Sequence, residues 1–263
     1  VQGATKWELD GVVQAGAGSY LGQFGLAVSL DGSFLAVGEP AWDESSGGNE
    51  GRAHIWRLGA NGAYAQLQTV EPDQSERGRG FGWSLELEGD VLAVGGPSIY
   101  GGAIDDGGRA WIFRKNGDYY EQDARLEAPA PMVDEQELFG YSIALDGTRV
   151  AIGRPGKDLD ATHPSHGSVH LYLDDGTSWL HEQEMIADEL GAQRLGTSVD
   201  VSAGRVVAGM PGDGGYGADS GAVAIFERTK VEWEQAARIS AMDGQERAEF
   251  GHSVCMSGER VAV

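Results

Sequence analysis

The chain has 263 residues and a formal net charge of −22, which excludes nucleic acid and anionic membrane as natural partners and favours cations or basic proteins. Glycine, at 42 residues, is about twice its usual share, while 8 prolines are ordinary and the 41% apolar content is globular. Turn-dense β structure fits this better than disorder, and the single cysteine, Cys255, excludes an internal disulfide framework.

The length allows one large all-β domain or two ordinary ones. No apolar run approaches the ~18 residues of a membrane span, so membrane insertion is not expected. None of Asn49, Asn61 and Asn116 begins an Asn-x-Ser/Thr sequon.

In chain order, the first element expected is a strand from Trp7 to Val13, an aromatic leading to an aliphatic six places on. A series of copies follows. Phe24-Gly25, Phe81-Gly82, Phe139-Gly140, Leu195-Gly196 and Phe250-Gly251 are separated by 57, 58, 56 and 55 residues. Each opens a short segment with the two-residue period of a strand: Ala27–Leu30, Ser84–Leu87, Ser142–Leu145, Ser198–Val201 and Ser253–Met256. A tight turn comes next, at Asp31-Gly32, Glu88-Gly89, Asp146-Gly147, Ala203-Gly204 and Ser257-Gly258.

A second, apolar strand then runs into Gly-x-Pro in four copies: Gly38-Glu39-Pro40, Gly95-Gly96-Pro97, Gly153-Arg154-Pro155 and Gly209-Met210-Pro211. Proline ends the ladder because it has no N–H to donate. After a loop, a third strand starts at Gly51, Gly108, Gly167 and Gly221. A fourth starts at an aromatic, over Tyr64–Val70, Tyr120–Leu126 and Trp233–Ile239, and over Trp179 to Met185 or Ile186 with one residue of slack. Composition alone favours a helix over Val231–Arg247, rich in Glu, Ala and Arg, but the repeat alignment overrules it in favour of strand.

A unit this small cannot bury its own apolar face and must stack on its copies. Four-stranded antiparallel units at this spacing predict a β-propeller, with the large residue that opens each unit packed between neighbouring blades. The expected layout is one incomplete propeller over 1–263. It comprises a preceding blade's last strand (1–13), four blades (24–70, 81–126, 139–186 and 195–239), and the first two strands of another (250–263). That pattern is expected to be a piece of a longer array of five to seven blades.

The Phe-Gly start and the run into Gly-x-Pro resemble FG-GAP repeats, found in integrin α-subunit propellers and in bacterial and algal secreted or surface proteins. Trp233, Phe250-Gly251-His252-Ser253-Val254 and Val261-Ala262-Val263 carry the likeness, with Trp179 and Gly221–Phe226. The resemblance implies an extracellular or cell-surface location and adhesion through one face of the disc. The integrin type often binds calcium between the first two strands. Here that connection is a tight turn with no room for a cage of six or seven oxygens.

Acidic residues collect in the loops after the second and fourth strands, which emerge on one face. Asp43, Asp105, Asp106, Asp158 and Asp160 are candidates for recruiting Ca²⁺ or a basic partner, and a solvated face that keeps the array soluble is the alternative. Asp213 and Asp219, joined by a glycine-rich turn, are the metal candidates. Trp42, Tyr100 and Tyr216 are candidates for stacking on sugar rings, with packing at the loop bases as the alternative.

His54 and His170 share a third-strand position with Trp111 and Ala224, which reads as a tolerant surface slot. His163-Pro164-Ser165-His166 offers a weaker metal reading. No nucleophile motif occurs, and the innermost strands carry only Glu86 and Asp200 as midpoint ionisable groups. The leading expectation is a non-enzymatic adhesion or binding propeller that takes a protein or glycan on its acidic loop face. A structural spacer or assembly subunit packed against neighbouring subunits is the second, and an enzyme with an axial site the third.

Overall fold

A computed structural model describes residues 11–16, 21–43, 49–72, 79–99, 107–129, 137–189, 191 and 193–263. Among them every regular element is a strand, and 18 are present. The first sheet is β1 (Val28–Asp31), β2 (Phe34–Glu39), β3 (Arg52–Leu58) and β4 (Tyr64–Val70). The second is β5 (Ser84–Glu88), β6 (Val91–Gly96), β7 (Arg109–Asn116) and β8 (Tyr119–Leu126). The third is β9 (Ile143–Asp146), β10 (Arg149–Arg154), β11 (Ser168–Asp174) and β12 (Trp179–Met185). The fourth is β13 (Val199–Ser202), β14 (Arg205–Met210), β15 (Ala222–Arg228) and β16 (Trp233–Ile239). A hairpin of β17 (Cys255–Ser257) and β18 (Arg260–Ala262) starts a fifth.

Each sheet is an antiparallel meander in chain order. In all four, the register slips by one residue where the third strand meets the fourth, as at Ile55/Trp56 and Ile225/Phe226. That bulge adds twist at the outer edge. Of the strand expected over Trp7–Val13, residues 7–10 lie outside the described residues, and 11–13 carry no strand pairing. The segment with helical composition is strand over Trp233–Ile239, paired along β15. Burial of Trp233 in the neighbouring interface outweighs local propensity.

The first strands of successive sheets lie side by side, β1 by β5, β5 by β9, β9 by β13 and β13 by β17, whereas the fourth strands barely meet. The sheets therefore fan out from their first strands. This fits the blades of a propeller, and among the described residues no sheet closes on itself.

The cores lie between sheets rather than within them. Ala36, Ala53, Ile55 and Val70 of the first sheet face Phe81, Leu85, Trp111, Phe113 and Tyr120 of the second. Phe139, Tyr172 and Trp179 mate with the second sheet in the same way, as do Leu195, Phe226 and Trp233 with the third. Of the residues that open each unit, Phe81, Phe139 and Leu195 are fully buried between sheets as expected, while Phe24 and Phe250 are half-buried.

The repeat's fixed residues are explained by this stacking. A methyl group built on Gly38, Gly95, Gly153 or Gly209 would overlap the carbonyl oxygen of the next unit's Phe-Gly or Leu-Gly glycine. Those partner glycines hold φ between 88° and 92°, a conformation that side chains resist. The hydroxyls of Ser84, Ser142 and Ser198 donate to the same carbonyls at 2.7–2.8 Å.

Along the hub, the carboxylates of Glu86 and Asp200 accept the amides of Leu145 and Met256 in the next sheet at 2.9 and 2.6 Å. Asp31 and Glu88 likewise accept from Gly89 and Gly147 at the following turn. Side chains thus tie together strands that form no continuous ladder.

This placement makes Glu86 titrate unusually. Burial pushes its carboxyl up to about 7, against the pull of the Leu145 amide. With the folded value above the unfolded one, this group's contribution is full below about pH 4.5 and is lost as the pH rises through 7. Replacing Glu86 with Gln keeps an acceptor for Leu145 and removes the ionisation. The variant is expected to gain on the order of 1–2 kcal/mol over the parent at pH 8 and nothing at pH 4.5, read from urea midpoints at each pH.

Candidate ligand-binding cleft on the loop face

The tolerant surface slot is corrected by the structure. His54 is 2% exposed and Trp111, His170 and Ala224 are fully buried. In register they pair with Val37, Val94, Ile152 and Ala208, which places each diagonally, two residues along the ladder, from the middle residue of its own Gly-x-Pro. In the first copy His54 hydrogen-bonds Glu39 at 2.8 Å. In the second, Gly96 leaves room for the Trp111 ring, 2.8 Å from where a Cβ would stand. In the third, Arg154 fills the space beside His170 and pairs with buried Glu137, and in the fourth Met210 and Ala224 belong to one apolar cluster. Burial pulls the imidazoles of His54 and His170 below their usual range, so they are neutral near pH 7. The column varies because its partners vary with it.

Five segments of the same kind start the first strands at the hub. The residue before the Phe or Leu is left-handed in every copy: Gln23 at φ 58°, Gly80 at 66°, Leu138 at 61°, Arg194 at 55° and Glu249 at 51°. For the four non-glycine residues this costs on the order of 1 kcal/mol each. The residue after the Phe-Gly or Leu-Gly pair varies: Leu26, Trp83, Tyr141, Thr197 and His252.

On the loop face these two positions from three consecutive units enclose a cleft of about 350 Å³. Leu138 and Tyr141 form one wall, Arg194 and Thr197 the next, and Glu249 and His252 the third. The β10–β11 loop closes the outer side with Pro155, Asp158, Pro164 and Ser165. Trp83 backs Tyr141, with ring centroids 5.5 Å apart and planes tilted by 49°. Asp158 is fixed by the Ser165 amide, which donates to it at 2.7 Å. Arg194 lies 3.1 Å from Asp219 and 3.5 Å from Glu249.

Of the sequence candidates, Asp158 lies in the cleft wall and Asp219 orients the cleft's arginine. The others are placed elsewhere. Asp160 is consumed locally, accepting the Thr162 amide and hydroxyl and the His163 ring, and these bonds hold its carboxyl well below the usual range. Trp42 stacks under the Arg52 guanidinium at 4.4 Å. Asp43 is half-buried beside it. Tyr216 is 58% exposed on the β14–β15 loop, packed on Gly244. Tyr100, Asp105 and Asp106 lie outside the described residues.

The two metal candidates are each engaged by a different arginine, Asp213 by Arg238 and Asp219 by Arg194. Among the described residues, no three His, Cys, Asp or Glu side chains are grouped to hold a metal ion. Glu86 and Asp200, the hub's ionisable pair, spend their carboxylates on neighbouring backbone. Tyr141, Arg194, Thr197, Glu249 and His252 went unread in the sequence. The usable signal was the pair of variable residues that flank the constant Phe-Gly or Leu-Gly of each unit start.

The class is thus an all-β array of four-stranded blades with interfaces between them. The family model described as the FG-GAP repeat matches residues 233–263, from the fourth strand of one blade through the first two of the next. The chain carries an FG-GAP repeat, and its sheets fit the blades of an FG-GAP propeller. No curated protein matches the chain. Among the described residues no helix is long and apolar enough to cross a membrane.

Proposed function

We propose that the chain is a non-enzymatic binding module of extracellular or cell-surface type, recognising its protein or glycan ligand on the loop face. The observation that carries this reading is the cleft: three units converge there, bringing an aromatic ring, both signs of charge and hydroxyls around one concave space. Left-handed residues at its walls are consistent with strain kept for a binding site. The acidic residues of the surrounding loops contribute long-range attraction for a basic partner or Ca²⁺.

A solid-phase screen of the purified chain against arrayed glycans and basic peptides tests this. Signal is expected with the parent and not with the Tyr141→Ala, Arg194→Ala double variant. Equal signal from both would remove the cleft from the function.

A structural role as a spacer or assembly subunit is supported by the side-chain ties between successive sheets, which stiffen the array. That reading expects large contacts with neighbouring subunits in the native assembly and no cleft-dependent ligand.

A further inference from the structure

We infer that the ligand of the loop-face cleft is a neutral saccharide, an inference that rests on the binding-module reading above. The cleft's charges are mixed. Asp158 and Glu249 oppose an anion, and the Arg194 guanidinium, 3.5 Å from Glu249, opposes a lysine or arginine side chain. The chain's charge of −22 adds to the discrimination against sialylated or sulfated sugars.

A neutral polyol meets neither objection. Each sugar hydroxyl both donates and accepts, so adjacent hydroxyls can satisfy a carboxylate and a guanidinium side by side. Asp158 is held in place by its loop, which lowers the ordering cost of such a contact. The Tyr141 ring, backed by Trp83, offers a flat apolar face beside Leu138, Pro155 and Pro164 for the C–H face of a pyranose. The volume of about 350 Å³ is at the small end of ligand sites, suited to one or two sugar rings.

The test is calorimetry on the full chain with neutral mono- and disaccharides, with sialyllactose and an oligolysine peptide as the other arms. A neutral saccharide is expected to bind, weakened about tenfold or more by Tyr141→Ala and by Asp158→Asn, with Tyr141→Phe close to the parent. Melting curves of each variant separate loss of binding from loss of fold, and the conservative Asp158→Asn, at a half-buried loop position, remains informative should Tyr141→Ala unfold. No neutral sugar binding, or binding indifferent to both changes, would overturn the inference. Oligolysine binding lost in Glu249→Gln would overturn it while leaving the binding module standing. Silence in every arm, together with no hit in the array screen, would count against both.

Discussion

Replacing Gly153 with Ala is expected to unfold much of the protein at 37 °C, at a cost on the order of 3–4 kcal/mol. The position lies inside β10, where alanine is otherwise a better residue than glycine. Its φ is not in the left-handed region, so intrinsic backbone preference would make the change neutral or mildly favourable. The cost comes from the next sheet. A Cβ there would overlap the carbonyl oxygen of Gly196 and crowd the Ser142 hydroxyl, which donates to that same carbonyl at 2.7 Å. Neither is the free end of a flexible side chain. Relief requires the third and fourth sheets to separate, and that opens the interface holding Leu195, Phe226 and Trp233. Gly147→Ala is the control: its φ is 61° but no atom lies within 4 Å of a Cβ, so only the backbone term of about 1 kcal/mol applies. Urea unfolding of the two variants should separate them by more than twofold in cost. Equal costs would mean that the contact between sheets is not what fixes this glycine.

That contrast also explains what was legible in the sequence. The five unit starts and the four Gly-x-Pro segments are demands of backbone on backbone, which only one residue type meets, so they recur and can be read directly. The fourth strand over Trp233–Ile239 was recoverable for the same reason, against its composition, because the aromatic at its head enters the interface, as Tyr120 and Trp179 do in theirs. The third-strand slot was misread because a position holding His, Trp, His and Ala looks tolerant in a single column. Its constraint is joint: Glu39 with His54, Gly96 with Trp111, Arg154 with His170, Met210 with Ala224. The cleft is hidden for the opposite reason, since most of its residues come from the short unit starts and not from the long acidic loops. Tyr141, Thr197 and His252 stand directly after the glycine of three unit starts, where variation inside a fixed frame marks freedom from packing. Asp213 drew notice as a carboxylate, but at 3% exposure it is Arg238's partner.

The joint constraint yields the second large effect. Arg154 and Glu137 are both fully buried, and they pair with each other. Arg154→Met places at this position the residue that the fourth unit uses, so volume and apolarity alone predict a mild change. Electrostatics predicts otherwise: the change removes one member of a fully buried ion pair and leaves Glu137 in the interface, and breaking such a pair costs about 3–5 kcal/mol. The fourth unit shows what else must change, since Gln193 stands where Glu137 does and Ala224 where His170 does. Transplanting the whole set, Glu137→Gln with Arg154→Met and His170→Ala, is therefore expected to recover most of the stability that the single change loses. Buried ion pairs replaced as a group by apolar or neutral residues are often neutral in cost or better. Thermal or urea unfolding of the single and triple variants decides the matter. If the single variant is as stable as the parent, Glu137 does not depend on Arg154. A triple variant that is worse than the single one would show that the set is held together by contacts beyond these three residues.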